Sequence, residues 1–332
     1  MKLSVIIVCW NDLAVIRDCL ESILAQYHKV DFEVLVSDNG STDGSVPYIR
    51  EKYPQVRLLE NNANLGFARA NNVGIRAATG EYVLILNPDT IVHEAAFDKW
   101  IEFADRHPEA GAFGCRVLSA DGAFHEPAQV FPTIWRYWVG ACRLEWLGRY
   151  LSLFASGSYP GWDGMEEREI DWQSGCCVLF RAAVLSELGG FDDRFFYNFE
   201  ETDLCKRTWQ AGYRILYTPE PVVTHLWGQS TKRFPTRFEI EKLRSRYRYF
   251  WKHHGPRSLQ GCRRVTLANL YIRRATYGLS RLFGSDETLD KRLEMYRVLI
   301  DWNKRLDPLR FIERGEEPDV GFDPLAPPPK FV

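Results

Sequence analysis

Short apolar runs alternate with helical periodicity from Leu3 to His107, and that alternation limits the fold more than any other feature of the chain. Leu3 to Cys9 predicts a strand, and Val15, Cys19, Leu20 and Ile23 then recur at helical spacing. Phe32 to Val36 predicts a second strand, ending at Ser37-Asp38-Asn39-Gly40. Ser45 to Lys52 reads as a helix and Val56 to Leu59 as a short strand. Asn64-Leu65-Gly66 opens a helix over Phe67 to Ala78, which Gly80 stops. Tyr82 to Leu86 is an apolar strand, and Ala95 to His107 a helix. This βαβα order implies an α/β fold, a mostly parallel sheet with helices on both faces. Such a sheet brings the turns after its strands to one edge, where α/β proteins bind ligands.

The pattern changes twice downstream. From Ala120 to Ile170 periodicity fails in a stretch rich in Trp, Tyr, Gly and Pro, which reads as a long excursion of the lid or binding-loop kind. Trp172 to Arg181 then predicts a strand, and Ala182 to Leu188 a helix closed by Gly189-Gly190. Thr202 to Ala211 predicts a helix, and Arg214 to Tyr217 a strand broken by Pro219 and Pro221. After Thr236 the chain reads as helical, with one stripe through Phe238, Leu243, Tyr247 and Phe250 and another through Leu289, Leu293, Tyr296 and Leu299. The expected organisation is a catalytic domain over 1–231, a basic helical appendage over 232–312 and a disordered tail over 313–332, which is acidic and Pro-rich.

Composition narrows the class. The 8 cysteines are scattered without a C-x-x-C pair, which fits reduced, buried thiols. The first apolar run is too short to span a membrane and lacks a small-residue cleavage site, so it reads as the first strand of a cytoplasmic protein. Net charge is −2, yet Lys232 to Arg310 carries 20 Lys and Arg against 8 Asp and Glu. A basic segment beside an acidic body points to an anionic surface or substrate, with solvated helix faces as the alternative.

Side chains able to do chemistry collect at predicted strand ends. Asn87-Pro88-Asp89-Thr90 follows the Tyr82–Leu86 run. A carboxylate at such a sheet mouth suits a divalent cation holding a diphosphate. Cys9-Trp10-Asn11-Asp12 and Asp38 to Gly44 follow the first two strands. A further acidic cluster, Glu200-Glu201-Thr202-Asp203, lies far downstream. Each has a plain structural reading too: Asp38 as a turn former beside Asn39-Gly40, Asp89 or Thr90 as a helix cap, and Glu200-Glu201 as an acidic first helical turn. The absence of a P-loop and of G-x-G-x-x-G argues against P-loop ATPases and nicotinamide-type sites.

The ordered set of segments resembles the family 2 glycosyltransferases of the GT-A fold, particularly a rhamnosyltransferase-like branch. The matching text is Val36 to Gly44, Asn64 to Gly74, Tyr82 to Thr90, Gly189 to Asp192 with Phe195-Phe196, Phe199 to Cys205, and His225 to Ser230. The resemblance implies a nucleoside diphosphate sugar donor, dTDP-rhamnose first and UDP-sugars next. It implies that Asp38 accepts the N3–H of uracil or thymine, as an ionised carboxylate suits. Asn11, Asn39, Asn64, Gly66, Asn71 and Asn87 would line the rest of the donor site. Asp89 and His225 would hold Mg²⁺ or Mn²⁺, although Asn87 stands where many relatives carry Asp. Glu201 would be the general base of an inverting displacement, with Glu200 the second choice, although relatives often carry Asp at this station. Trp172, Gly175 and Asp203 would shape the acceptor side, with Trp172 equally suited to packing and Asp203 to organising the helix start. Asp43 would contact ribose or shape its loop. The implied acceptor is a cell-surface or lipid-linked glycan.

Arg244, Arg246, Arg248, Lys252, Arg263, Arg264, Arg273 and Arg274 interleave with Tyr247, Tyr249, Phe250, Trp251 and Tyr271. A basic amphipathic helix with aromatics can lie on an anionic membrane, so peripheral attachment to the inner face of the membrane is expected. Core packing is the alternative, and the catalytic set argues against a nucleic-acid partner. Two rival functions remain at this level: a nucleotidyltransferase, for which Cys9 to Asp12 offers no basic triphosphate grip, and a relative that binds sugar nucleotides or glycans without turnover.

Overall fold

The computed structural model describes residues 1–26, 28–157, 159–226, 235–281, 284 and 287–315. The chain divides into two compact units: Met1–Phe131 with Gly161–Ser230, and Pro132–Pro160 with Thr231–Val332.

In the first unit the elements follow the predicted alternation: β1 (Leu3–Cys9), α1 (Leu13–Leu24), β2 (Phe32–Asp38), α2 (Ser45–Lys52), β3 (Arg57–Glu60), α3 (Phe67–Ala77) and β4 (Tyr82–Leu86). Next come β5 (Thr90–Val92), α4 (Ala96–Arg106), β6 (Ala110–Leu118), β7 (Phe124–His125) and β8 (Ala128–Gln129). The chain then contributes α5 (Ile134–Ala141) to the second unit. It returns as β9 (Arg168–Glu169), β10 (Trp172–Gln173), β11 (Cys177–Arg181), α6 (Ala182–Leu188), α7 (Glu200–Gln210) and β12 (Arg214–His225).

Among the described residues the main sheet has the order β3-β2-β1-β4-β11-β6-β12-β5, with β7 beside β6 and β9 beside β12. Strands β1 to β4 run parallel, β12 is parallel to β6, and β11 and β5 are antiparallel insertions. Every residue of β1 and β4 is buried, as expected for strands covered on both faces. Leu3, Val5, Ile7 and Cys9 join the core formed by Ile16, Cys19, Leu20 and Ile23 of α1 and Phe97, Trp100 and Ile101 of α4. Ile6 points the other way, against Gly74 of α3. The fold is thus a mostly parallel mixed sheet flanked by helices.

Three expectations change. The strand expected over Trp172–Arg181 is two strands, β10 and β11, because the chain turns at Ser174-Gly175-Cys176. The strand expected to break at Pro219 runs on to His225, and a register shift between Tyr217 and Val222 absorbs both prolines. The helix expected from Thr202 begins at Glu200. Strands β5 and β6 carry no sequence expectation.

The second unit is helical. It comprises α5, short 3-10 turns at Glu145–Arg149 and Ser152–Phe154, α8 (Pro235–Ser280), α9 (Glu287–Arg305) and α10 (Pro308–Arg314). Helix α8 is interrupted at Gly255, where φ is 78°, just before Pro256. Its basic and aromatic stretch is largely a core. Tyr247, Tyr249 and Phe250 are buried, Tyr137 packs on Phe250 at 5.6 Å, and the Arg246 guanidinium lies 4.5 Å over Tyr137. Arg244 is buried and paired with Glu241. The expectation that this stretch lies on a membrane therefore fails for its central residues, since helical spacing turns them inward. Tyr271, Arg273 and Arg274 at the far end of α8 remain exposed. Most of the expected tail, 316–332, lies outside the described residues, as do Trp227 to Ser230 of the quoted histidine segment.

Candidate active site

Parallel pairing in register sets the first wall of the site. Cys9 pairs with Asp38, and Ile7 with Leu86, so the loops after β1, β2 and β4 leave one edge of the sheet. Asp38 is buried; its Oδ2 accepts the Gly40 and Ser41 N–H groups at 2.9 and 3.0 Å. Its Oδ1 is buried and accepts no hydrogen bond. A buried carboxylate oxygen without a donor is costly to leave so. The turn-former reading of Asp38 accounts for one oxygen and leaves the other.

The neighbouring asparagines form a backbone-holding network. Asn39 N–H donates to Cys9 O at 2.8 Å, and its side chain spans Gly66 O at 3.3 Å and Asn64 Oδ1 at 3.5 Å. Asn61 Nδ2 donates to Asn39 Oδ1 at 3.0 Å, and Asn64 Oδ1 accepts the Gly66 N–H at 3.0 Å. Asn11, at φ 57°, accepts the Thr42 N–H at 2.7 Å. Asp43 shapes its loop: its carboxylate takes the Leu13 N–H at 2.9 Å and the Ser45 hydroxyl at 2.6 Å. Asn71 is fully buried on α3 and donates to Phe67 O at 3.0 Å. Asn39, Asn64 and Gly66 are thus brought together; Asn71 sits inside the helix packing.

The second wall forms where β5 and β12 pair. His225 lies opposite Thr90, and the Leu226 N–H donates to Asp89 O at 2.9 Å. This register sets His225 Nε2 2.9 Å from Asp89 Oδ1, with Asn87 Nδ2 3.4 Å from the same nitrogen. Both Asp89 and His225 are buried. Burial alone would lower the imidazole pKa; the Asp89 carboxylate and Cys176 outweigh it and raise it to about 10. His125 on β7, which carried no sequence signal, is close enough to feel His225: burial first and that neighbour second lower its pKa.

Among the described residues no cluster of three or more His, Cys, Asp or Glu side chains is assembled for a metal. Asp89 offers one oxygen donor, while His225 can offer a nitrogen only as the neutral imidazole, the form its pairing with Asp89 disfavours. An oxygen donor of this kind fits Mg²⁺ or Mn²⁺ when diphosphate oxygens and water complete the shell, since Mg²⁺ keeps most of its ligands from solvent and substrate.

The third wall is the first turn of α7. Asn198 and Phe199 precede it with φ of 64° and 70°, a left-handed pair without glycine. Such residues cost about 1–3 kcal/mol each and persist where surrounding structure over-determines them. They aim Glu200 and Glu201 apart. Glu200 is buried, and burial followed by the Glu201 charge pushes its carboxyl well above the ordinary range. Glu201 is half-buried. Burial raises its pKa as well, while the N–H groups of Glu201, Gly175 and Thr202 favour its charged form. Both carboxyls are thus held above the ordinary range, Glu200 with less hydrogen-bond support for its charged form. Oε2 of each is buried without a hydrogen bond.

Gly175 joins this wall to the second. A methyl group there would touch Glu201 at 3.5 Å, and the next residue, Cys176, accepts the Asn87 N–H at 2.9 Å. Trp172 is half-buried and donates its indole N–H to Val130 O at 3.1 Å, tying β10 to the segment after β8. Asp203 is fully buried and paired with Arg207 at 2.8 Å, and Arg207 also holds Leu188 O and Gly190 O. Asp203 thus organises α7 and the glycine turn. Asn72, which the sequence did not single out, clamps the same turn through Phe191 O at 2.8 Å and Phe191 N–H at 2.9 Å.

Residues 4–189 match the family described as Glycosyl transferase family 2. The chain belongs to glycosyltransferase family 2. This family 2 glycosyltransferase is 33% identical over 239 residues to N-acetylglucosaminyl-diphospho-decaprenol L-rhamnosyltransferase of Mycobacterium tuberculosis, covering 67% of this chain and 75% of that one. It is 23% identical over 192 residues to rhamnosyltransferase WbbL of Escherichia coli, covering 55% of this chain and 69% of that one. Its fold is shared with a solved GT-A enzyme, the mannosyltransferase PcManGT of Pyrobaculum calidifontis in complex with GDP-Man and Mn²⁺. The TM-score is 0.54 at 19% identity, over 95% of this chain and 88% of that one.

The raised Glu200 carboxyl has a consequence for this glycosyltransferase. A carboxyl whose pKa is raised on folding stabilises the folded state below its unfolded value, and that stabilisation is lost as pH rises through the folded value. Unfolding free energy should therefore fall as pH climbs above the ordinary carboxylate range. Glu200→Gln, which cannot ionise, should flatten that part of the profile and be the more stable form at alkaline pH. Denaturant titrations at acidic and mildly alkaline pH measure this; parallel profiles for the two forms would place the Glu200 carboxyl in contact with solvent.

Proposed function

We propose that this glycosyltransferase transfers L-rhamnose, with inversion, from a nucleoside diphosphate donor to a hydroxyl of a lipid-linked or cell-surface glycan. The donor base is thymine first and uracil next. The observation that carries the reaction type is Glu201: a half-buried carboxylate with one unengaged oxygen, held by the Gly175 N–H on the loop that also binds Asn87. The sugar and acceptor follow from the Mycobacterium tuberculosis relative, whose name specifies rhamnose transfer to a diphospho-decaprenol glycan.

In this reading Asp38 Oδ1 accepts the N3–H of the pyrimidine, and the Asn39–Asn64–Gly66 network holds the loop on which the nucleoside rests. Asp89, with His225 once its imidazole is neutral, would hold the divalent cation, which would supply positive charge against the leaving diphosphate. Glu201 Oε2 takes the proton of the acceptor hydroxyl as its oxygen bonds to the anomeric carbon and the bond to the diphosphate breaks.

Hydrolysis and binding across a panel of dTDP- and UDP-sugars, with Mg²⁺ or Mn²⁺ and then EDTA, tests the reading. One donor should be preferred, dTDP-rhamnose foremost, its recognition should fall with EDTA, and Asp89→Ala should lose it to about the same degree. No donor preference and no metal effect would return the chain to a binding role without turnover. Pyrophosphate release from a nucleoside triphosphate would instead favour nucleotidyl transfer.

A further inference from the structure

Six large apolar side chains stand outside any core in one short part of the helical unit. Trp135, Trp138, Trp146, Tyr150, Leu151 and Leu153 are between 41% and 71% exposed. They fall within one stretch, Trp135 to Leu153, and part of it is tied together. The Trp135 indole N–H donates to Leu153 O at 2.7 Å, and its ring packs on Phe154 at 6.0 Å. The Tyr150 and Leu151 N–H groups both reach Leu147 O at 2.9 Å. On α5, Trp135 and Trp138 share one face by their spacing, while Val139 and Ala141 are buried. The two indoles thus stay partly exposed on a helix whose Val139 and Ala141 are buried. Soluble proteins rarely leave a contiguous patch of this kind bare without a use for it. Arg136, Arg143 and Arg149 punctuate the segment against a single acid, Glu145, and Arg143 and Arg149 are exposed.

We propose that residues 134–154 form a docking surface for an anionic lipid bilayer. Indole and phenol rings favour the headgroup level, where one end is apolar and the other is hydrogen-bonded. Exposed arginines beside them complement anionic headgroups. A second copy of the chain is a poorer occupant, because a twofold contact would bring the same arginines together with too few acids to answer them. The buried stretch around Tyr247–Phe250 cannot serve, for its rings are already inside the unit. The inference rests on the lipid-linked acceptor proposed above, which a protein on the bilayer surface would meet in two dimensions.

Co-sedimentation of the full chain with phosphatidylglycerol–phosphatidylcholine vesicles, against phosphatidylcholine alone, tests it. The wild type should bind the anionic vesicles and release in high salt. The variant Trp138→Ser/Trp146→Ser/Tyr150→Ser should partition at least about tenfold more weakly, and Arg143→Gln/Arg149→Gln should lose the salt-sensitive part. Arg273→Gln/Arg274→Gln, at the exposed end of α8, should bind as the wild type does. Unchanged thermal unfolding and donor hydrolysis would show that the variants are folded. The proposal is overturned if the wild type ignores anionic vesicles, if the triple variant binds as well as the wild type, or if only the α8 variant loses binding. It is equally overturned if light scattering shows a dimer that the triple variant dissolves while vesicle binding stays the same. Vesicle binding needs no donor and donor turnover needs no vesicle, so this inference and the transfer reading can fail separately.

Discussion

Glu201→Gln should leave donor binding intact and lower kcat for transfer by about 10²–10⁴-fold, the usual contribution of a positioned general base. The amide keeps the shape of the side chain and can still accept the Gly175 N–H through its oxygen. What it loses is the ability to take a proton. Donor affinity measured by calorimetry and kcat measured with a soluble acceptor separate the two effects. The pH profile gives an independent readout. Because burial raises the Glu201 carboxyl, the acid limb of kcat should lie above the ordinary carboxylate range and vanish in the variant. Glu200→Gln should keep most of the activity, since burial already disfavours the charged form of that side chain. If instead Glu200→Gln abolished transfer while Glu201→Gln did not, the two roles would have to be exchanged.

Gly66→Ala should be the most damaging small substitution at the donor side. Gly66 has a φ of 82°, and a methyl group there would lie 2.6 Å from Phe196 Cδ2 and 2.8 Å from Phe196 O. The ring could turn, but the carbonyl is fixed by the Phe67 N–H at 2.9 Å. Left-handed backbone and forced repacking together cost about 2–5 kcal/mol, or roughly 5–15 °C in Tm for a unit of this size. Gly189→Ala is the control: its φ is 72°, yet nothing lies within 4 Å of the added methyl. It should cost only the backbone part, about 1–2 kcal/mol. Donor affinity should fall further in Gly66→Ala, because Gly66 O and N–H anchor Asn39 and Asn64. Equal Tm values for the two variants would mean that the Phe196 backbone yields.

The sheet was legible because its central strands are buried on both sides and therefore apolar without interruption, as in Tyr82–Leu86. The same logic brought Asp38, Asp89 and the loop asparagines to one edge before any coordinates. The limits have physical causes. Thr90–Val92 is too short to show a period, and Ala110–Leu118 is diluted by Gly111 and Gly114. The start of α7 depends on two left-handed residues, Asn198 and Phe199, whose side chains announce nothing of the kind. The different burial of Glu200 and Glu201 could not be read from neighbouring positions in a sequence. In α8, alternating arginines and aromatics look alike whether they face lipid or protein, and packing decided for protein. The 132–160 stretch resisted reading for the opposite reason, since α5 leaves two tryptophans partly exposed.

The pairing of β5 with β12 also bears on how such a chain tolerates insertions and deletions. Asp89 meets His225 only because Thr90 and His225 are opposite one another, and side chains alternate faces along a strand. A one-residue length change between Val222 and His225 would turn the imidazole to the other side of the sheet without altering any functional residue. The irregular stretch between Tyr217 and Val222, where the ladder already slips, can absorb such a change. Lineages can vary in length around the two prolines, while the last four positions of the strand act as a ruler.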